Sequence, residues 1–458
     1  MKKLFSLASV LLLFLVLTGC SNGTEVTDLQ QEIDAKIALI SNLEDEVASL
    51  NANLQESTDA NTALTSQISE LEAEIARLQA LIYDNVLTFT LKDEYGSFTS
   101  ETIGYNDDYE GTLFDLLNEN FTVGYDDSEW GKFIYSLDYL SPKTGAYIAF
   151  YKNGAMSKVG IDSATFEDGD VFSFEVMWWD MQEKAVDDAI HMFLDNYGEF
   201  YVSEIGVEYN VITALSLLGV VDDYVTLEET QALVDEMTLS TVADYFKAII
   251  ILQAVGGNTD ALISDLNSIV AVGPYGQTAY GLLALDSYAH STDYSTFVSS
   301  ALTDLKTTTP FSLGLDAGGI SLVALSNYTT EDGIQALIDE YAAWVSTSQL
   351  ETGGIKTRDV VWGDTTYPGT ENAASMSQAI LGLIANDINP TSAAYTKGDN
   401  NLISRLLEFQ TTTGSFDYIL DDDIAEDLMF SSPQAFLALV SYQTYVNTYE
   451  AVNPYSFN

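Results

Sequence analysis

The chain has 458 residues, with 69 acidic against 16 basic side chains and a formal net charge of −53. A surface of that charge repels nucleic acid and anionic lipid head groups, so neither is an expected partner. Cys20 is the only cysteine, which excludes intramolecular disulfides and thiolate metal sites. The acidity is equally compatible with a simple adaptation to solubility or salt.

Residues 1–20 form a targeting segment. Lys2 and Lys3 precede an apolar run, residues 4–17, that is too short for a comfortable membrane span. The segment ends in Leu-Thr-Gly-Cys20 and resembles a bacterial lipoprotein signal, which is cut before a cysteine that is then lipidated. The resemblance implies lipidation of Cys20 and an extracytoplasmic protein anchored to the bacterial cell membrane. An ordinary secretory signal with a chance cysteine is the alternative.

Residues 24–83 are predicted to form a coiled-coil stalk. Apolar residues recur at heptad spacing from Val26 to Ile82, mostly β-branched at position a and leucine at position d. This pattern favours a parallel homodimer, and Asn61 at position a would fix its register. Lys36 and Ser57 at position d weaken the seam. A single amphipathic helix lying against the rest of the protein therefore remains the alternative.

In residues 86–180 the spacing of apolar residues changes and becomes typical of a small α+β domain. Strands are predicted at 86–91, 146–151 and 171–176, with one helix at 111–120. Turn residues occupy 152–154 and 166–170. Three strands and one crossing helix predict a helix packed on a sheet.

Residues 181–450 contain six runs that are apolar nearly all round, as expected of helices buried on all sides. The runs begin at Val211, Lys247, Tyr280, Ile320, Ala379 and Ala435. They alternate with amphipathic segments at 184–196, 227–237, 259–270, 294–306, 331–347 and 399–410. In the first of these segments, Asp187 and Asp188 lie off the apolar stripe. Six buried helices alternating with six half-buried ones predict an (α/α)6 toroid.

Two stretches resemble one protein family. Residues 147–154, 159–161 and 167–174 resemble the transcobalamin-like C-terminal domain, the DUF4430 group, which has a β-grasp-like fold. Residues 434–439 and 316–325 are similar to the inner helices of the intrinsic factor and transcobalamin α-domain, whose repeats are shared with squalene cyclases and prenyltransferases. This chain departs from the family in its reversed domain order and in lacking disulfides.

The resemblance implies non-catalytic binding of a cobalamin-like corrinoid between the β-domain and the toroid. In a toroid of this kind the ligand lies at the mouth, on loops that enter the inner helices, and residues 349–371 and 410–431 are long enough for that role. The candidate ligand-binding residues are Tyr151, Asn153, Asp316, Trp362, Tyr367, Asn372, Phe416, Tyr418 and Gln434. Each has a structural alternative, since Asp316 and Asn372 are also good helix N-caps and the aromatic residues can close the end of the barrel.

The sequence gives little support for the activity of any enzyme that shares these helical repeats. The run Asp421-Asp422-Asp423 does not fit the Asp-x-Asp-Asp acid of class II terpene cyclases, and no cysteine is available for a zinc or thioester site. We therefore expect no catalytic residue, no metal site and no required cofactor. Phrases beginning at Gln349 and Gln410 resemble the Gln-Gly-aromatic motif of squalene-cyclase repeats and are interpreted as structural. A surface adhesion protein and a polysaccharide-acting enzyme remain alternative functions.

Overall fold

A computed structural model describes residues 57–71 and 83–457 apart from 129–130, 204–206, 275, 309–313, 363–364 and 421–426, with scattered helical residues between 36 and 55. Residues 57–71 are helical, and the heptad residues Leu64, Ile68 and Leu71 are exposed along them. Cys20 and most of the predicted stalk lie outside the described residues. Within the described part, no helix is both long and apolar enough to cross a membrane.

The small α/β region contains a five-stranded sheet in the order β2-β1-β7-β5-β6. Its strands are β1 (Asn85–Lys92), β2 (Phe98–Tyr105), β5 (Ala146–Lys152), β6 (Ala155–Met156) and β7 (Val171–Trp178). The three strands predicted from alternation are all present. Strand β2 was missed because its first four residues, Phe98 to Glu101, are all exposed and do not alternate between buried and exposed positions.

Helix α1 (Leu113–Asn120) begins at a capping box. The main-chain N–H of Thr112 donates to the Asp115 carboxylate at 2.7 Å, and Asp115 N–H donates back to the Thr112 hydroxyl at 3.1 Å. All four apolar residues of the helix are buried, namely Leu113, Phe114, Leu116 and Leu117. A hairpin of β3 (Val123–Ser128) and β4 (Gly131–Leu137) follows. The hairpin was not predicted because its outward residues are aspartates and exposed aromatic rings.

Six inner helices form a closed ring in the described chain. They are α3 (Tyr209–Leu218), α5 (Val242–Ala254), α7 (Gln277–Leu285), α9 (Gly314–Leu325), α11 (Ala373–Ile384) and α13 (Ser431–Thr448). Each inner helix packs against the next, and α13 packs against α3. The toroid-like helical fold predicted from the repeated apolar runs is thus confirmed.

Six outer helices lie behind the ring, and each packs against at least one inner helix. They are α2 (Met181–Ser203), α4 (Leu227–Glu236), α6 (Asp260–Ile269), α8 (Ser295–Thr308), α10 (Ile334–Ser348) and α12 (Leu402–Leu407). Capping boxes at Thr226 and Thr241 start α4 and α5, and Gly219, with a left-handed φ of 73°, ends α3. A short hairpin of β8 (Val360–Trp362) and β9 (Thr365–Tyr367) precedes α11. The last short pair, β10 (Thr396–Lys397) and β11 (Asn400–Asn401), precedes α12.

Helices α9 and α11 approach each other unusually closely. A Cβ atom built on Gly319 would lie 2.2 Å from the carbonyl oxygen of Gln378, and one built on Gly382 would lie 2.9 Å from the carbonyl oxygen of Gly319. Neither position can therefore accept a side chain without moving a backbone. Glycine at both positions lets the two helices meet main chain to main chain.

The two Gln-Gly phrases have the structural role expected of them. The side-chain nitrogen of Gln349 donates to the carbonyls of Gly353 and Tyr395, both at 2.7 Å. That of Gln410 donates to the carbonyls of Ala189 at 2.9 Å and Gly414 at 3.2 Å. Each glutamine ties its outer helix to the following turn and to a neighbouring element, which confirms the interpretation.

The chain divides into two compact units. One comprises residues 1–90, 99–120 and 151–173, and the other comprises residues 91–98, 121–150 and 174–458. The whole helical ring belongs to the second unit, and the candidate site described next lies entirely within it.

Candidate functional site

One set of accessible polar side chains lies in the N-terminal halves of the inner helices. An inner helix packs against neighbours on both sides and against outer helices behind, so a side chain that stays accessible faces the axis of the ring. We name this set, together with one buried amide bonded to it, the axial rim. It consists of Glu208, Tyr209, Lys247, Tyr280, Asp316, Gln378 and Gln434.

The first half of the axial rim is aromatic and charged. The ring of Phe246, on α5, lies 5.5 Å from the ring of Tyr209 and 4.8 Å from that of Tyr280, so three successive inner helices are linked by aromatic contacts. The ammonium group of Lys247 lies 5.7 Å from the centre of the Tyr209 ring. This part of the rim can pack against an apolar ring and place one positive charge beside it.

Glu208 is the most perturbed acid of the axial rim. It caps α3, where its Oε2 accepts hydrogen bonds from the main-chain N–H groups of Asn210 at 2.7 Å and Val211 at 3.1 Å. Burial raises the pKa of Glu208 to about 7, against the opposing effect of these bonds and of the Lys247 charge. Near neutral pH the carboxyl group can therefore either accept or donate a proton.

Asp316 lies on the next part of the rim, in the first turn of α9. Its side chain is exposed, and its Oδ1 accepts a hydrogen bond from the Ser375 hydroxyl on α11 at 2.9 Å. Burial, and after it the charge of Asp316, raises the pKa of the Tyr280 phenol and likewise that of Tyr418. Both phenols therefore stay protonated and can donate hydrogen bonds to a ligand.

The second half of the axial rim consists of amides. Gln378 on α11 donates to the Oε1 of Gln434 on α13 at 3.1 Å. The buried Oε1 of Gln378 and the buried Nδ2 of Asn372 have no hydrogen-bond partner among the described protein groups. Leaving a buried polar atom unpaired costs about 1–3 kcal/mol, so a ligand or water is expected to satisfy both atoms.

The structure brings together four of the residues predicted from the sequence. Asp316, Asn372, Gln434 and Tyr418 all lie at or beside the N-terminal ends of α9, α11 and α13. Asn372 is also the N-cap of α11, because its Oδ1 accepts from the Ser375 N–H at 2.7 Å. Asn372 therefore caps the helix, as its structural alternative predicts, and its Nδ2 is still without a partner among the described protein groups.

Phe416 has a structural environment rather than a ligand-facing one. The side chain is fully buried in the main core, and its N–H donates to the Ser432 hydroxyl at 2.8 Å. Trp362 and Tyr367 occupy facing strands of the β8–β9 hairpin. Their side chains lie outside the described part, so their predicted role stays a prediction.

Tyr151 and Asn153 lie in the other unit, on β5 and the turn after it. Asn153 has a left-handed φ of 50° and donates from Nδ2 to Asp170 at 2.7 Å, while its Oδ1 accepts from the Val171 N–H at 2.8 Å. Both polar atoms of the amide thus hold the turn. Tyr151 is half-buried and pairs with Met156.

Sequence reasoning missed Glu208, Tyr209, Lys247 and Tyr280 as site residues. Lys247 carried a usable signal, since it is the one charged residue at the head of the run Lys-Ala-Ile-Ile-Ile. Glu208 carried none, because a carboxylate before a helix is ordinarily a solvated cap. Its perturbed environment arises from the closure of the ring, which a linear pattern does not contain.

A second polar cluster surrounds Asp187 on α2, whose side chain is 1% exposed. Its carboxylate accepts hydrogen bonds from Lys143, from Gln443 at 2.8 Å and from the Tyr95 hydroxyl at 2.8 Å. Asp187 was predicted to lie off the apolar stripe of this segment, and it is nevertheless buried. The loops that carry Tyr95 and Lys143 cover that side of α2, and the ring of Tyr95 lies 4.1 Å from that of His191.

The carboxylate of Asp187 is held by three donors. Burial alone would raise the pKa of Asp187, but the hydrogen bond and charge of Lys143, with the bonds from Tyr95 and Gln443, hold it below its usual value. These bonds have a structural role, and the axial rim, with its unpartnered amide atoms, is the better candidate site. Across the residues that the structure describes, no group of three His, Cys, Asp or Glu side chains is arranged to hold a metal ion.

Comparison with known proteins covers parts of the chain. Residues 110–178 match the model of a family described as a domain of unknown function, DUF4430. This match confirms the DUF4430-type part expected from the sequence. No curated protein matches the chain.

Two solved structures are similar to separate parts of the chain. A candidate metal-binding protein from Ruminococcus gnavus is 21% identical, and the match covers 20% of this chain and 97% of that one, with a TM-score of 0.19. An apo variant of a type II terpene cyclase from Scytonema is 13% identical, and the match covers 58% of this chain and 98% of that one, with a TM-score of 0.36.

Proposed function

We propose that the protein binds a ligand at the axial rim without changing it chemically, and that the ligand is a corrinoid of the cobalamin type. The observation that most supports the proposal is the pair of buried, unpartnered amide atoms on Asn372 and Gln378, next to accessible amide and phenol groups. A corrinoid is a flat macrocycle edged by amide side chains, each of which offers a donor and an acceptor. The amides of the rim complement that edge.

The aromatic half of the rim would take the apolar part of such a ligand. The half-buried rings of Tyr209 and Tyr280, held in place by the fully buried Phe246 between them, supply area and fixed geometry with little conformational entropy to lose. Lys247 would supply the positive charge for the phosphodiester that a complete cobalamin carries and cobinamide lacks. The two ligands therefore separate the contribution of this residue from that of the amides.

We also propose that lipidated Cys20 anchors the protein outside the cytoplasmic membrane and that the stalk lifts the ligand-binding part away from it. The exposure of Leu64, Ile68 and Leu71 along one helix supports pairing of two stalks, because a single helix would leave those side chains in water. A parallel homodimer would bury them. Sedimentation of the full chain in detergent, compared with the Leu64→Asp variant, tests this part of the proposal.

The binding proposal is tested by calorimetric titration of the full chain, in detergent, with cyanocobalamin and cobinamide. Saturable heat near one ligand per chain is expected with both. The Gln378→Leu variant should lose binding, whereas Gln231→Leu should not, because Gln231 lies on outer helix α4 and bonds only to Asp235. No heat with either corrinoid would reject the corrinoid and leave a surface-interaction protein as the leading function.

A second function is favoured by the position of Glu208 at the start of α3, where burial raises the pKa of its carboxyl group to about 7. A carboxyl group with that pKa can serve as a general acid in glycoside hydrolysis, as expected of a polysaccharide-acting enzyme with a toroid fold. Release of reducing ends from polysaccharides by the wild type, lost in Glu208→Gln, would establish this function. Absence of release from a broad glycan panel would exclude it for those substrates.

A further inference from the structure

A cleft of about 590 Å³ lies on the outside of the helical ring, away from the axial rim residues. It is bounded by one face of outer helix α8 and by the segment 328–331 that precedes α10. Its volume is within the range of small-molecule sites, roughly 300–1,000 Å³. The proposed corrinoid function makes no use of it.

Two tyrosines in the cleft are held in place from behind by one carboxylate. The hydroxyl groups of Tyr294 and Tyr328 both donate to Oδ1 of Asp286, at 2.8 and 3.0 Å. Asn327 donates to the other oxygen of Asp286 at 3.4 Å. Since both hydroxyls are turned toward Asp286, each tyrosine offers mainly its ring to the cleft.

His290 adds to the rigidity of this arrangement. Its Nδ1 accepts from the Thr292 N–H at 3.2 Å, which makes Nε2 the protonated nitrogen that donates to the Leu285 carbonyl at 2.7 Å. The imidazole lies 5.3 Å from the ring of Tyr294. The two tyrosine rings are therefore pre-organised, which lowers the entropy lost on binding a ligand.

The opposite wall of the cleft is rich in hydroxyl groups. Ser299 donates to the carbonyl of Ser295 at 3.0 Å and Thr303 donates to that of Ser299 at 2.8 Å, one turn back along α8. These hydroxyl protons are thus occupied, and the oxygens are left as acceptors for donors in the cleft. Lys306 at the end of the wall donates to the Asp332 carbonyl at 3.0 Å.

The charge of the site argues against an anionic ligand. Two acidic residues, Asp293 and Glu331, line the cleft against one basic residue, Lys306, and the chain as a whole carries a net charge of −53. The aromatic rings favour a ligand with an apolar face, and the oxygen acceptors favour one with many donors. The negative field favours donors that belong to neutral groups. Sugars have this chemistry, because the C–H groups of a pyranose form an apolar face and its hydroxyls surround it.

We propose that this cleft binds a neutral saccharide, with a sugar ring against Tyr294 and Tyr328 and sugar hydroxyls donating to the serine and threonine oxygens of α8. Such a site would let the protein recognise a glycan while the axial rim holds a different ligand. The saccharide is bound at this site and not cleaved.

Saturation-transfer NMR on the full chain, in a detergent without a sugar head group, tests the proposal. The probes are maltotriose, cellotriose and chitotriose, with trigalacturonate as an anionic comparison. Transfer is expected to at least one neutral trisaccharide and not to trigalacturonate. Tyr328→Ala should weaken the affinity by about tenfold or more, as truncation of an aromatic anchor does, and Tyr328→Phe, which keeps the ring, should retain most of it.

A matched pair on α8 identifies the site. Ser299 and Ser300 are both exposed, and each donates to the carbonyl four residues earlier at 3.0 Å, but only Ser299 lines the cleft. Ser299→Trp should abolish transfer and Ser300→Trp should preserve it. Persistence of transfer in Ser299→Trp, or its absence with every neutral sugar in the wild type, would overturn the proposal. Corrinoid titration of Ser299→Trp should be unchanged, which separates this result from that of the axial rim.

Discussion

Asp187 and Glu208 are both buried carboxyl groups of the second unit, and they differ in almost every other respect. Asp187 accepts from Lys143, Tyr95 and Gln443 and has a lowered pKa. Glu208 lies at the start of α3, accepts from the N–H groups of Asn210 and Val211 and from the Asn210 side chain at 3.0 Å, and has a pKa raised to about 7. Burial acts on both in the same direction and each accepts three hydrogen bonds, so the difference comes from the ammonium group of Lys143, which bonds directly to Asp187.

The comparison separates a structural acid from a candidate site acid. A carboxylate that bonds a cation directly is held ionised and joins the elements that carry its donors. A buried carboxyl group without a directly bonded cation is more easily protonated, and its protonation responds to the pH near neutrality. Four substitutions can break or sharpen this distinction.

The largest expected effect is that of Asp187→Ala. Removing the carboxylate leaves Lys143, Tyr95 and Gln443 without their common partner, and the free energy of unfolding should fall by about 3 kcal/mol. Chemical denaturation at pH 7 measures it. Asp188→Ala is the control: Asp188 is 54% exposed and pairs with Lys184 on the surface, so its loss should cost no more than about 0.5 kcal/mol.

The stabilisation that Asp187 gives to the folded protein depends on pH, and the sign of this dependence follows from its pKa. Because the folded pKa of Asp187 lies below the usual value of an aspartate, its stabilisation is complete at neutral pH and is lost as the pH falls below about 4. The difference in stability between the wild type and Asp187→Ala should therefore shrink on acidification. A difference that grew instead would mean that Asp187 is protonated in the folded protein.

Glu208→Gln should show the opposite response. A pKa raised from 4.5 to about 7 makes ionisation of Glu208 unfavourable for the folded state, and this cost develops between those two pH values. From pH 5 to pH 8 the wild type should lose about 2 kcal/mol of stability relative to Glu208→Gln. Parallel denaturation curves at the two pH values measure this. Equal slopes for both proteins would remove the contrast with Asp187.

Tyr95→Phe is expected to have a smaller effect. The variant loses the 2.8 Å hydrogen bond to Asp187 but keeps the ring that packs against His191. A loss of about 1.5 kcal/mol is expected, at the lower end of the range for a hydrogen bond to a charged acceptor because Tyr95 is partly exposed. Tyr449→Phe, at a residue that is 78% exposed, serves as the control and should leave the unfolding midpoint unchanged.

The smallest effect on stability is expected from Lys247→Met. Lys247 is exposed on α5, so its replacement should change the unfolding free energy by less than about 0.5 kcal/mol. Its charge lowers the pKa of Glu208, and its loss should therefore raise the titration midpoint of that carboxyl group. Carbon-13 NMR of the glutamate carboxyls reads this shift, and Lys184→Met, on a different helix, should not produce it.

Much of the ring could be predicted because its signal is local. A run such as Ile320 to Leu325 is apolar nearly all round, and only a helix packed on all sides can bury it. The outer segments followed from ordinary amphipathic spacing, and the observed helices differ from the predictions mainly at their ends. Asp316, Asn372 and Gln434 could be found because they begin inner helices.

The rest depends on contacts between distant parts of the chain. The burial of Asp187 could not be predicted, because a helical stripe does not reveal that loops near residues 95 and 143 cover the polar side of α2. Glu208 was missed because its burial and the nearby charge of Lys247 on α5 arise only when the inner helices pack together. The close approach of Gly319 to Gln378 was also invisible, since a glycine in an apolar run reads only as a weak helix former.

The contact between α13 and α3 has a consequence for how the protein is made. The seam of the ring joins a helix near residue 210 to one that ends at residue 448, so it cannot form until almost the whole chain has been synthesised. Until α13 has been synthesised, α3 and α11 each expose the apolar face that packs against it in the finished ring. Newly made chains should depend on chaperones during that interval, and ribosomes stalled before residue 431 should yield products that aggregate or are degraded.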